Sequence, residues 1–160
     1  VWGFQRDPEI VDVAAHHNVP VIAMHWDTER DTSKDLIDEM KRWLSRSVEL
    51  ALNAGVAREQ IILDPGFGFA KTFSENYMLL NRLEELHELG FPLLIGTSRK
   101  SMIGKLLDLP PKEREAGTFA TSVISYMKGG HIFRVHNVRQ NLESLRVAHA
   151  TLYGAPSGRD

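Results

Sequence analysis

Four stretches of the chain carry side chains for which a buried strand has little structural use. Asp64 closes the apolar run Ile61-Ile62-Leu63, ahead of Pro65-Gly66-Phe67-Gly68-Phe69. A carboxylate at the end of an apolar strand is costly unless it receives hydrogen bonds. The amides of Gly66 or Phe67 would supply them in a turn; so would the adjacent N–H donors of a ligand with an aminopyrimidine edge, such as a pterin or guanine. Gly66 and Gly68 among aromatics, followed by Ala70-Lys71, let the backbone approach something flat. Thr97-Ser98-Arg99-Lys100-Ser101 follows Pro92-Leu93-Leu94-Ile95-Gly96 directly. Two adjacent cations there suit an anionic or carbonyl-rich ligand, and Ser101, near the start of a helical turn, adds a hydroxyl and free amides able to hold a carboxylate. A solvated loop is the alternative, because Lys and Arg are mostly exposed anyway. In His131-Ile132-Phe133-Arg134-Val135-His136, strand alternation sets Arg134 and His136 on one face. A guanidinium fork beside an imidazole is a good phosphate-binding pair; a hydrogen-bonded core histidine is the blander alternative for His136. Met24, before His25-Trp26, shares a strand face with Ile22, so simple filling of the core explains it equally well.

These residues need strands that end together. Val19 to His25, Ile61 to Asp64, Pro92 to Gly96 and His131 to His136 read as four strands whose near-continuous apolar character suits a parallel sheet covered on both faces. Helical patterns fill the gaps. Asp7 to His17 places Ile10, Val11, Val13 and Ala14 inward; Leu36 to Asn53 repeats apolar residues at three-to-four spacing and stops at Gly55. Thr72 and Glu75 stand at capping-box spacing ahead of a helix that Gly90 closes. Ala116 to Lys128 carries Phe119, Val123, Ile124 and Met127, and a last helix runs from about Arg139 to Tyr153. Residues 1–154 read as one α/β domain and 155–160 as a frayed tail. Four strand-helix units make about half of a (β/α)₈ barrel, which typically needs about 250 residues; a doubly wound open sheet gives the same pattern.

The bulk numbers bound the function. A length of 160 residues allows a real core, and a net charge of −2 gives no reason to expect a nucleic-acid or membrane partner, so an anion site must be built locally. No apolar run reaches the roughly 18 residues of a membrane helix. The absence of cysteine excludes disulfides and thiolate chemistry and fits a cytoplasmic protein.

Leu63 to Lys71 (LDPGFGFAK), Gly96 to Gly104 (GTSRKSMIG) and Arg134 to Val138 (RVHNV), in this order and spacing, resemble the signatures of bacterial dihydropteroate synthases. Val1 to Glu9 (VWGFQRDPE) and Val19 to His25 (VPVIAMH) look like that family's fourth and fifth barrel units, so the similarity runs from Val1 to about Tyr153. The resemblance implies a (β/α)₈ barrel, of which this chain is the C-terminal half, with four parallel strands. It implies that Asp64 binds the pterin ring with Met24 beside it, and that Lys100 contacts the pterin next to p-aminobenzoate. It gives Phe69 and Ser101 the p-aminobenzoate and gives Arg134 and His136 the pyrophosphate of dihydropterin pyrophosphate. Lys100, Arg134 and His136 are then the catalytic set, with Mg²⁺ assisting the leaving group. A cytoplasmic homodimer is implied as well.

The chain departs from the family pattern. The family's pyrophosphate and magnesium loop, and the Asp and Asn ending its third and fourth strands, are expected upstream of Val1, so no metal ligand is expected here. This makes the chain look like a fragment, inactive alone and, with open sheet edges, prone to self-association. Asn137 stands where the family usually has Asp, although the two are near-equal helix N-caps. The alternatives are a pterin-binding methyltransferase domain, which has no pyrophosphate to neutralise, and a non-catalytic synthase paralogue.

Overall fold

The computed structural model describes residues 2–157. Of the tail expected at 155–160, residues 158–160 lie outside that range, as does Val1; 155–157 are exposed and carry no helix or strand. The elements are α1 (Glu9–His16), β1 (Val21–Met24), α2 (Leu36–Asn53), β2 (Ile61–Asp64), α3 (Phe73–Asn81), β3 (Leu94–Ile95), α4 (Ser101–Leu107), α5 (Glu115–Met127), β4 (Ile132–Phe133) and α6 (Val138–Tyr153). β1 pairs with β2 in parallel, with Met24 opposite Asp64. A parallel bridge between Leu63 and Leu93 joins β2 to β3, and β3 pairs in parallel with β4. The four strands thus stand side by side in chain order, all pointing the same way, which brings their C-terminal ends to one rim.

Burial explains the order. Ala23, Ile61, Leu63, Leu93 and Ile95 are at most 1% exposed, and α2 turns Leu36, Ile37, Met40, Trp43, Leu44, Val48 and Ala51 onto them. Each such aliphatic side chain contributes roughly 1.5–3 kcal/mol on full burial. Asp35 starts α2 by accepting from the N–H groups of Ile37 and Asp38. The expected capping box starts α3: Thr72 Oγ1 accepts from the Glu75 N–H, and the Glu75 carboxylate accepts from the Thr72 N–H.

Three helices differ from the sequence reading. α3 ends at Asn81, and it is a separate 3-10 stretch, Leu83–Leu89, that Gly90 closes. α1 buries Val11 and Ala14 but leaves Ile10 and Val13 about half exposed. α5 turns a polar stripe inward: Thr118, Thr121, Ser122 and Ser125 are buried, whereas Ile124 and Met127 face out. The hydroxyls prevail because each finds a partner: Thr121 bonds Thr97 (2.9 Å), Ser122 donates to Asn141 (2.9 Å), and Ser125 donates to the Thr121 carbonyl (2.7 Å). Strand β4 is also shorter than expected, ending at Phe133, so Arg134 and His136 lie just beyond it.

Candidate active site

The rim at the strand ends collects most of the singled-out residues. Asp64, 1% exposed, spends Oδ1 on the Gly66 N–H (2.8 Å), as the turn reading required, and its Oδ2 lies 3.3 Å from Arg134 Nη2. Burial raises its pKa above the usual carboxylate value, against the opposing pull of the Gly66 N–H, Arg134, Lys100 and Lys71. Gly66 takes a positive φ of 71°, and a side chain there would collide with the His25 carbonyl; only glycine lets the turn sit so close to the end of β1.

Arg134 and His136 line one cavity of about 250 Å³ together with Gly96, Ser98, Lys100 and Val135. The guanidinium lies over Gly96, where an added Cβ would meet Nη2 at 2.9 Å. Ser98, 6% exposed, holds His136 at two points: Oγ accepts from the His136 backbone N–H (3.2 Å) and lies 2.9 Å from Nδ1.

Lys100 Nζ stands 4.1 Å above the Phe69 ring, which packs in a tilted arrangement against Trp26 at 4.9 Å between centroids. Burial and the nearby Arg134 lower the Lys100 pKa, and Asp64 partly offsets them. The backbone that carries Lys100 is held firmly. Arg99 adopts a positive φ of 57°, unfavourable for a residue with a side chain, yet its N–H donates to Thr118 Oγ1 and its carbonyl accepts from Arg114 Nη1. Met24 is buried beside Asp64 in the strand register. Ser101 opens α4 as an exposed residue and does not line the cavity that Lys100, Arg134 and His136 share.

Sequence reasoning missed several members of this rim. Trp26 backs Phe69, Ser98 orients His136, Arg114 braces the Arg99–Lys100 backbone, and Lys71 reaches the His25 ring and two turn carbonyls. Each role depends on residues distant in the chain, and no local spacing signals it. Among the described residues no group of three or more His, Cys, Asp or Glu could hold a metal ion. Asp64 offers no substitute, since a single carboxylate paired with Arg134 lacks the further oxygen ligands that magnesium requires. These residues do not fit a magnesium ion.

Parallel strands in chain order, with a cation-lined cavity and an aromatic shelf at their C-terminal ends, define a segment of a ligand-binding (β/α)₈ barrel. Residues 1–136 match the model of the pterin binding enzyme family. The chain belongs to that family. It is 47% identical over 152 residues to the dihydropteroate synthase of Bacillus subtilis, covering 95% of this chain and 53% of the relative. It is 50% identical over 157 residues to that of Synechocystis, covering 94% and 54%. The chain thus spans about half the length of the curated relatives it matches. Among solved structures, a dihydropteroate synthase from Clostridium difficile, crystallised in the presence of pteroic acid, superposes with a TM-score of 0.92 at 42% identity, covering 97% of this chain and 59% of that one. The Yersinia pestis enzyme with a pterine-sulfa conjugate superposes with a TM-score of 0.88 at 40% identity, covering 96% and 59%. Both are barrel enzymes, and the expected partial barrel is the fold. Among the described residues no helix is long and apolar enough to cross a membrane.

Proposed function

We propose that this chain supplies the C-terminal part of a dihydropteroate synthase, which joins dihydropterin pyrophosphate to p-aminobenzoate and releases pyrophosphate. One observation carries the reading: Lys100, Arg134 and His136 line a single cavity beside the buried carboxylate of Asp64. In the proposed reaction the aniline nitrogen attacks the pterin methylene carbon, the carbon–oxygen bond to the diphosphate breaks, and the nitrogen loses a proton. Charge accumulates on the leaving diphosphate, so preset cations stabilise the transition state more than the ground state. Arg134 takes that role, and His136 beside it helps to bind the pyrophosphate. Asp64 accepts from the N–H edge of the pterin, with Met24 packed beside it. Lys100 stands between pterin and p-aminobenzoate, and Phe69 and Ser101 border the latter.

Asn137 does not argue for a non-catalytic paralogue. Its side chain caps α6 by accepting from the Gln140 N–H (3.3 Å), a task Asn performs as well as Asp. Magnesium belongs to the proposal as a companion of the diphosphate, with ligands outside this chain. A homodimer and a cytoplasmic setting belong to it too. Support for the dimer comes from α6, where the exposed Leu142 and Val147 line an apolar groove of about 630 Å³ together with Tyr126 and Leu145.

Calorimetry on a full-length synthase carrying this segment, with dihydropterin pyrophosphate in the presence and absence of magnesium, tests the reading. Binding should strengthen with the metal and weaken when the substrate lacks its pyrophosphate. Affinity indifferent to both would favour a pterin-binding protein of another kind.

A further inference from the structure

We propose that Lys71 is a positioning residue for this site, a clasp that ties the turn at 65–70 to the end of β1 and so fixes Asp64 and Phe69. The inference rests on the function proposed above.

Nζ of Lys71 lies 2.9 Å from His25 Nδ1, 3.0 Å from the Gly66 carbonyl oxygen and 3.1 Å from that of Phe69. His25 directly follows β1, so one amine joins the ends of two neighbouring strands. Gly66, which receives Lys71 on its carbonyl, gives its N–H to Asp64 Oδ1. Phe69, which receives Lys71 on its carbonyl, carries Lys100 on its ring. Both carbonyls that Lys71 holds therefore belong to residues that touch a side chain of the proposed site, Asp64 for Gly66 and Lys100 for Phe69. The next residue back, Ala70, holds a positive φ of 48°, a conformation that needs a constraint of this kind to persist in a residue with a side chain.

Proton accounting fits the geometry. An ammonium has three N–H donors for these three acceptors. A neutral amine donates to the two carbonyls and accepts from the His25 N–H. The groups facing Lys71 are His25 after β1, Arg30 in the β1–α2 loop, Asp64 at the end of β2 and Glu75 on α3. Burial outweighs the attraction of Asp64 and Glu75 and lowers the Lys71 pKa to about 7, while His25, desolvated beside two cations, drops to about 2 and stays neutral. The clasp therefore keeps its contacts but loses its positive charge near neutrality, next to the carboxylate that reads the pterin.

The test is made in a full-length synthase carrying this segment. Lys71→Met should raise KM for dihydropterin pyrophosphate by about tenfold with a much smaller change in kcat, the pattern of lost binding geometry. In the unmodified enzyme KM should climb as pH passes about 7, and the variant should lack that climb. Lys71→Cys alkylated with bromoethylamine restores an amine of nearly lysine length and should recover the wild-type KM; this segment contains no other cysteine. Lys71→Gln, which retains an N–H donor without the charge, decides the matter if the Met variant does not fold. A folded variant of either kind whose KM and pH profile match the wild type overturns the clasp, even if it melts earlier. An unmodified enzyme without turnover overturns instead the functional reading on which the clasp rests.

Discussion

Nη2 of Arg134 stands 3.3 Å from Oδ2 of Asp64, although β3 lies between β2, which ends at Asp64, and β4, which Arg134 follows. The pair is lopsided: the carboxylate side chain is 2% exposed and the guanidinium side chain 59%. Solvent screens so open a cation, and the contact adds little to stability. What it does is hold the guanidinium across the mouth, over Gly96 and beside the cavity it shares with His136.

Arg134→Ala should therefore cost far more activity than stability. We expect a loss of about 10²–10³ in turnover, the usual scale for removing one preset group that stabilises developing negative charge. Arg46→Ala, on the outer side of α2, should stay within about twofold, as surface substitutions do. A pyrophosphate-release assay on full-length enzyme compares them; equal activities would remove Arg134 from the site.

Asp64→Asn separates function from stability in the opposite sense. Burial holds the folded pKa above the ordinary value of 3.8. The folded state thus binds more protons than the unfolded one just above pH 3.8, and stability falls as pH rises through the folded pKa. Asn retains an oxygen for the Gly66 N–H and removes the buried charge. The variant should melt at or above the wild-type temperature at neutral pH while losing pterin affinity. A clear fall in Tm would show that the carboxylate is there chiefly for the fold.

Much of this arrangement could be read from the residues alone, and the failures have a common cause. The ends of β2, the apolar stripe of α2 and the Thr72–Glu75 capping box depend on neighbours within a few positions, and all appear as expected. Hydrophobicity alone points the wrong face of α5 inward, because Thr121 and Ser122 are satisfied by partners that only the fold brings near. At the site, Asp64, Arg134 and His136 could be singled out as polar residues on apolar strands. Lys71 could not: its ring partner, His25, is 46 positions away, and an isolated lysine after a turn looks like a solvated one.

His25 makes stability sensitive to acid. Its folded pKa of about 2 lies below the ordinary 6.5, so between these values the unfolded chain takes up a proton that the folded one refuses. Stability should fall as pH drops from 6.5 toward 2. Lys71, lowered from 10.5 to about 7, acts in the same sense over the range between those values. His25→Asn, which keeps an acceptor for Lys71, should flatten the acid limb of a Tm-against-pH curve. Parallel curves for variant and wild type would mean that another group governs acid unfolding.

Ser98→Ala probes how His136 is aimed. The hydroxyl accepts from the His136 backbone N–H at 3.2 Å and sits 2.9 Å from Nδ1, so one buried oxygen sets both the chain position and the ring rotation of an otherwise exposed imidazole. Its loss removes two hydrogen bonds, worth about 1 kcal/mol each in stability at most, because the exposed ring can turn to water. The effect on catalysis should be larger than that stability change suggests, since a misaimed group loses its advantage in the transition state. We expect kcat/KM to fall about tenfold for the pyrophosphate substrate, with binding of a pterin lacking the pyrophosphate unchanged. If both ligands are affected alike, Ser98 serves the loop as a whole and the imidazole needs no aiming.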